Sequence, residues 1–173
     1  MCILSCGFYS LAGSIPPHIK SISIPLVENQ TSDFNLSENL TDKIISQFNE
    51  SGILSIQDED KAHSILNGTI KKITDGPYSY NKNESVSEFR YKIDVKIEWY
   101  DNANEKNIIE KNYSGFGAYG LSGDISTDGI DNDNDGKIDS EDDNEFGEPR
   151  SFAANVAINK IAEDILNDIM TTW

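Results

Sequence analysis

Between Phe89 and Trp99, six apolar residues (Phe89, Tyr91, Ile93, Val95, Ile97, Trp99) alternate without a break with Arg90, Lys92, Asp94, Lys96 and Glu98. Successive side chains of a strand point to opposite faces, so this pattern dictates an extended segment with one apolar face and one wet face. Burial on a single face belongs to an antiparallel sheet covered on one side. A chain carrying such a strand must also supply the cover.

Two segments have the right form for that cover. Leu36, Leu40, Ile44 and Phe48, joined by Ile45, place one apolar stripe on a helix over about residues 36–50. Asn35 and Glu38 have the spacing of a capping box, and Gly52 stands where a left-handed residue closes a helix. Phe152, Val156, Ile161, Ile165 and Ile169, with Ile158, Ala162 and Leu166, predict a second helix over about 151–170, just after Pro149.

Further strands are predicted over 19–26, 53–56, 65–73 and 108–118. Pro25 marks an end or edge of the first, and Asp75-Gly76-Pro77 ends the third. Residues 78–87 read as a polar loop or a frayed strand extension, and 101–105 as a turn rich in Asn and Asp. The expected fold is α+β: a two-layer sandwich with both helices on one face of a mainly antiparallel sheet of about four strands. Residues 18–173 read as one domain behind a tether of residues 1–17, with an acidic insertion at about 123–149.

The net charge of −16 is concentrated in that insertion. Residues 124–148 hold eleven acids and one lysine, so the remainder is only mildly acidic. No basic face is available for a phosphate backbone, which argues against nucleic acid as a partner. Inside the insertion, Asp131-Asn132-Asp133-Asn134-Asp135-Gly136-Lys137 continues to Asp139 and Asp142. Alternate side-chain oxygens at this spacing wrap one hard cation. Gly136 permits the sharp turn, and Lys137 offers its carbonyl. Asp131, Asp133, Asp135, Lys137, Asp139 and Asp142 are therefore the expected Ca²⁺ ligands. The run resembles the calcium loops of EF-hands and of thrombospondin type 3 and dockerin repeats. Asp142 in place of a bidentate Glu points to weak affinity, on the order of 10⁻⁴–10⁻³ M. The other reading of this segment is a solvated acidic loop.

Other motifs carry less. Residues 115–120 match G-x-G-x-x-G but lead into the acidic insertion, which repels phosphate, rather than into a helix. His18 and His63 lie in no ligand spacing, and no G-x-S-x-G or P-loop is present, so no enzyme class is indicated. Cys2 and Cys6, both near the N-terminus, cannot staple a domain. Ile3-Leu4-Ser5-Cys6-Gly7 resembles a bacterial lipobox, which makes Cys6 the candidate acylation site. Five residues precede Cys6, too few for a complete leader. A shortened start and an accidental match with a free thiol both stay open.

The order of elements and several local phrases together resemble the LptE family of lipopolysaccharide-assembly lipoproteins. The phrases are Cys6-Gly7-Phe8-Tyr9-Ser10, Ile22-Ser23-Ile24-Pro25-Leu26 followed by Glu28-Asn29-Gln30-Thr31, Leu66-Asn67-Gly68-Thr69-Ile70, and the run from Phe89 to Tyr100. The two amphipathic helices complete the pattern. The resemblance implies two helices on a four-stranded sheet and a non-enzymatic role at the outer membrane. There the protein would bind and plug an LptD-type β-barrel and assist lipopolysaccharide transport. The chain would face the periplasm, held to the membrane by N-terminal acyl chains. Arg90, Lys92 and Lys96, on the wet face of the long strand, are candidate lipopolysaccharide contacts. The acidic insertion departs from the family pattern and keeps a second reading open, a calcium-dependent adhesion or glycan-binding surface lipoprotein.

Overall fold

The computed structural model describes residues 15–120, 125–127, 129–133, 135–138, 141 and 147–171. The long alternating segment is β5 (Val86–Asp101), the centre of the fold. Its inward residues Tyr91, Ile93, Val95, Ile97 and Trp99 are buried, while the residues between them stay half-exposed. β4 (Ser64–Tyr80) and β6 (Lys106–Tyr119) pair antiparallel on either side of it.

The remaining strands are short. β1 (Ser21–Ser23) and β2 (Glu28–Asn29) both run parallel to β4, and β3 (Ser55–Ile56) runs parallel to β1. The sheet is thus six-stranded and mixed, ordered β3-β1-β4-β5-β6 with β2 also against β4. This corrects the expectation of about four mainly antiparallel strands. The strand expected over 19–26 is broken around Pro25, whose missing N–H cannot serve a ladder. Only Ser21–Ser23 of that span pairs with β4, and a separate two-residue strand, β2, pairs with β4 after it. β1 and β3 fall within the strands expected over 19–26 and 53–56, while β2, at two residues, is too short to display a period and was not expected.

Residues 78–87 follow the expectation of a strand extension, but Asp75-Gly76-Pro77 does not end the strand as expected. β4 continues through Gly76 and Pro77 to Tyr80, and β5 starts at Val86, so the two strands run on as a hairpin past the end of β6. Pro77 fits because β2 has already ended opposite Ile70, which leaves β4 with β5 as its one neighbour there.

Helix α1 (Leu36–Ser51) makes the crossover between the parallel strands β1 and β3, and buries Leu36, Leu40, Ile44 and Phe48. Gly52 closes it at φ 64°, donating to Phe48 O at 3.1 Å. The expected capping box does not form. Asn35 already has helical dihedrals (φ −78°, ψ −12°), and its side chain caps nothing.

Helix α2 (Pro149–Thr171) starts on Pro149 itself, and Ser151 N donates to Glu148 Oε2 at 2.7 Å. Both helices share one core with the inward face of β5. At the start of α2 the innermost residues are Ala153 and Ala157, whereas Phe152 and Val156 lie only half-buried at its flank. The cause is across the interface. A methyl group at Gly115 would sit 2.2 Å from Ala157 O, and one at Gly117 would sit 2.3 Å from Ala153 O. Helix and strand approach so closely that only Gly facing Ala fits. The G-x-G phrase is therefore a packing seam in β6.

Candidate functional site

The face of the sheet away from the helices carries the basic candidates. Arg90, Lys92 and Lys96 all project from β5 on the side away from the helices, about 7 Å apart per two residues. None of them stands alone. Lys92 Nζ meets Asp94 Oδ1 at 2.7 Å, and Lys96 Nζ meets Glu110 Oε1 at 2.7 Å and Glu98 Oε1 at 3.0 Å. Arg90 Nε donates to Glu88 Oε1 at 2.8 Å, and its guanidinium lies between the rings of Tyr78 (3.3 Å) and Phe116 (4.4 Å). Hydrogen bonds to Glu110 and Glu98 hold the Lys96 ammonium above its ordinary value, and Lys96 in turn holds Glu110 below the usual carboxylate range. Burial pushes the Asp94 carboxyl up, but hydrogen bonds from Lys92 and Ser114 outweigh it and leave Asp94 low. The result is a ladder of matched charges. A pocket of about 330 Å³ opens beside it, lined by Thr74, Pro77, Tyr78, Arg90, Lys92 and Phe116.

The described residues of the Asp-rich segment hydrogen-bond among themselves. Asp131 accepts from Asp135 N (3.0 Å) and Gly136 N (2.9 Å), Asp133 from Asp135 N (3.0 Å), and Asp135 from Lys137 N (2.9 Å). Gly136 takes φ 94°, a value that favours glycine. One carboxylate oxygen each from Asp131, Asp133 and Asp135 lies within 4.8 Å of the other two, a spacing that suits one hard cation. Lys137 Nζ is 3.2 Å from Asp135 Oδ2. Asp139, Asp142 and Cys6 lie outside the described residues.

Sequence reasoning passed over the contacts that fix these surfaces in place. Asn132, read only as a spacer in the loop, is buried against the outer edge of β6 and exchanges hydrogen bonds with both backbone groups of Ala118. Arg150 joins α2 to Asp75 at 2.6 Å and Asp33 at 3.4 Å, while its guanidinium covers the ring of Tyr91 at 4.7 Å. Tyr91 donates to Asp33 at 2.8 Å, and Tyr119 donates to Asp75. Burial, with these acceptors, raises both phenols well above their ordinary range. No local motif could have announced partners so far apart in the chain. The Gly115/Gly117 and Ala153/Ala157 spacings were a usable signal for the helix seam.

The histidines are structural. His18 Nε2 lies 2.8 Å from Asp101 Oδ2, and His63 Nδ1 lies 2.7 Å from Ser21 Oγ. The Ser21–His63 contact has the distance of a nucleophile and its base, but Ser21 is only 1% exposed. A substrate cannot reach its hydroxyl. Among the described residues, no helix is long and apolar enough to cross a membrane.

The model of the LptE family, described as lipopolysaccharide-assembly, matches residues 19–172. The chain belongs to the LptE family. No curated protein matches it in sequence. This LptE-family chain shares its fold with a protein from Xanthomonas campestris (6% identity, TM-score 0.55, covering 91% of this chain and 89% of that one). It is also similar to a hypothetical protein from Chlamydia trachomatis (11% identity, TM-score 0.54, 87% and 98%). A third likeness is to an uncharacterized lipoprotein B from Nitrosomonas europaea (9% identity, TM-score 0.53, 91% and 87%). At such identities the likeness concerns the fold alone.

Proposed function

We propose that this LptE-family chain is a non-enzymatic lipoprotein of the outer membrane, anchored through an acylated Cys6. It faces the periplasm, seats within an LptD-type β-barrel and assists the assembly of lipopolysaccharide. The observation that carries this reading is the family match across residues 19–172, which spans both helices and every strand. The character of the open sheet face supports it. That face presents Lys92, Asp94, Lys96, Glu98, Glu110 and Ser114, a charged and polar surface of the kind that meets the polar interior of a barrel. The apolar pocket beside Arg90 and Lys92 joins cations to an oily wall, which suits a phosphorylated acyl lipid. Calcium in the Asp131–Asp135 loop would add a further charge next to this region.

The test is co-purification. A tagged chain, produced as a lipoprotein in the envelope, is expected to bring down a large outer-membrane barrel and to carry acyl chains on Cys6. Recovery without any barrel, from a strain that makes one, would overturn the plug role. Glycan binding that appears only with calcium would favour an adhesion module instead.

A further inference from the structure

Among the described residues, the outer edge of β6 keeps backbone groups available for pairing. Ala118 N donates to Asn132 O at 3.2 Å, and Ala118 O accepts from Asn132 Nδ2 at 3.0 Å, so both backbone groups of Ala118 point away from β5. From Ile109 to Tyr119 the register with β5 runs without a bulge. Inward and outward residues alternate in an antiparallel pair. Glu110, Asn112, Ser114 and Phe116 therefore also aim N–H and C=O outward. Among the described residues these groups meet no hydrogen-bond partner. The open row is about 20 Å long, enough for a strand of ordinary length.

This edge is also one wall of a groove. Ser114, Phe116 and Ala118 line one side of a cavity of about 800 Å³, Gly129 to Asp133 line the other, and Val156 and Lys160 lie beneath. The charges facing it are Glu88, Asp131 and Asp133 against Arg90 and Lys160. Both cations are engaged, Arg90 by Glu88 and Lys160 by Asp164. Asp131 and Asp133 place two carboxylates on the loop wall. Asn132 already shows the pairing on a one-residue scale, with its carbonyl and side-chain amide standing in for an added strand.

We propose that an extended, basic segment of a partner polypeptide adds to the β6 edge, hydrogen-bonding at Ser114 and Phe116 and setting alternate Lys or Arg side chains toward Asp131 and Asp133. Main-chain pairing supplies the affinity of such strand addition, and the side chains supply the selectivity. The inference holds whichever envelope protein the partner is, so it stands or falls separately from the barrel reading.

The test uses a labelled ten-residue peptide of alternating Lys and Thr, at low salt with chelator present, read by fluorescence anisotropy. Its controls are the Glu-for-Lys peptide and a version N-methylated at alternate residues. Both controls are expected to bind at least tenfold more weakly. Ser114→Pro removes one outward N–H, which an edge strand tolerates, and is expected to weaken binding at least tenfold. Ser114→Ala keeps that N–H and is expected to bind as the parent chain does. If Ser114→Pro fails to fold, the N-methylated peptide still decides. Equal binding of the N-methylated peptide, or no binding of the Lys peptide at millimolar concentration, overturns the proposal. So does self-association of the chain that Ser114→Pro abolishes, since a second copy would then own the edge.

Discussion

Arg150 Nε donates to Asp75 Oδ2 at 2.6 Å, tying the first turn of α2 to β4. The same guanidinium reaches Asp33 in the loop before α1 and covers Tyr91 in β5, and Tyr119 of β6 closes the group on Asp75. One side chain thus holds four segments where the Asp-rich insertion rejoins the fold. Arg150→Ala is expected to cost about 1–2 kcal/mol through the lost ion pairs and ring contact. That lowers the melting temperature by several degrees. Arg150→Lys should recover only part, since an ammonium cannot reproduce the planar fork. An unchanged melting temperature in Arg150→Ala would remove the clasp from the account.

The seam between β6 and α2 makes a sharper prediction. A side chain at Gly115 or Gly117 meets backbone carbonyls of α2, which cannot swing aside as a flexible side chain would. Gly115→Val should cost about 3 kcal/mol or more by overpacking. Gly76→Ala is the control, because a methyl there meets nothing within 4 Å. Urea denaturation of the two variants separates crowding at one site from a general effect of replacing glycine.

Acid should weaken the fold partly through Asp101. Burial pushes its carboxyl up, but hydrogen bonds from the Asn104 side chain, His18 and the backbone amides of Asn104 and Ala103 outweigh that and hold it below the usual range. A carboxyl lowered on folding contributes stability above its unfolded pKa, near 4, and loses it as pH falls through the lower folded value. Stability measured from pH 6 down to pH 2 should therefore fall below about pH 4. In Asp101→Asn part of that slope should vanish. A slope identical in both proteins would assign the acid sensitivity to other carboxylates.

The Asp131–Asp133–Asp135 cluster should take calcium in the extracellular range, on the order of 10⁻⁴–10⁻³ M. Calorimetric titration of the parent chain and of Asp131→Asn/Asp133→Asn tests this. Heat of binding in the first and none in the second is the expected pair of results. A parent chain silent to several millimolar calcium would return the segment to a plain acidic loop.

The charge ladder predicts a competition. An anionic headgroup reaching Lys96 must displace Glu110 and Glu98. Glu110→Gln should therefore raise the affinity for lipopolysaccharide several-fold at low salt, and the gain should fade as salt screens it. Tighter binding on Lys96→Ala would contradict a role for this cation.

How much of this was legible beforehand differs by element. The run from Phe89 to Trp99 announced β5 and its buried face, because a strand's period of two is local. The stripe from Leu36 to Phe48 announced α1, and Gly52 its end. In α2 the stripe from Ile158 to Ile169 was read as it lies, but Phe152 and Val156 at its start fall to the flank, because glycines far away in β6 draw Ala153 and Ala157 inward. Of the short strands, β1 and β3 were expected but β2 was not, since two residues carry no period, and their parallel pairing was out of reach because a parallel partner is never a chain neighbour. Arg90, Lys92 and Lys96 were placed correctly on one face, while their neutralisation by Glu88, Asp94, Glu98 and Glu110 depended on folded neighbours.

By itself the sequence determined what periodicity and local stereochemistry can encode: the long strand, both helices, the turn at Gly136 and the spacing of the aspartates. Tertiary structure alone decided which strands lie side by side, that Asn132 docks on Ala118, and that Arg150 gathers Asp33, Asp75 and Tyr91. Periodicity is set by bonds between neighbours along the backbone and survives in any short window. Pairing between distant segments is set by the common burial of one core, and that is a property of the whole chain.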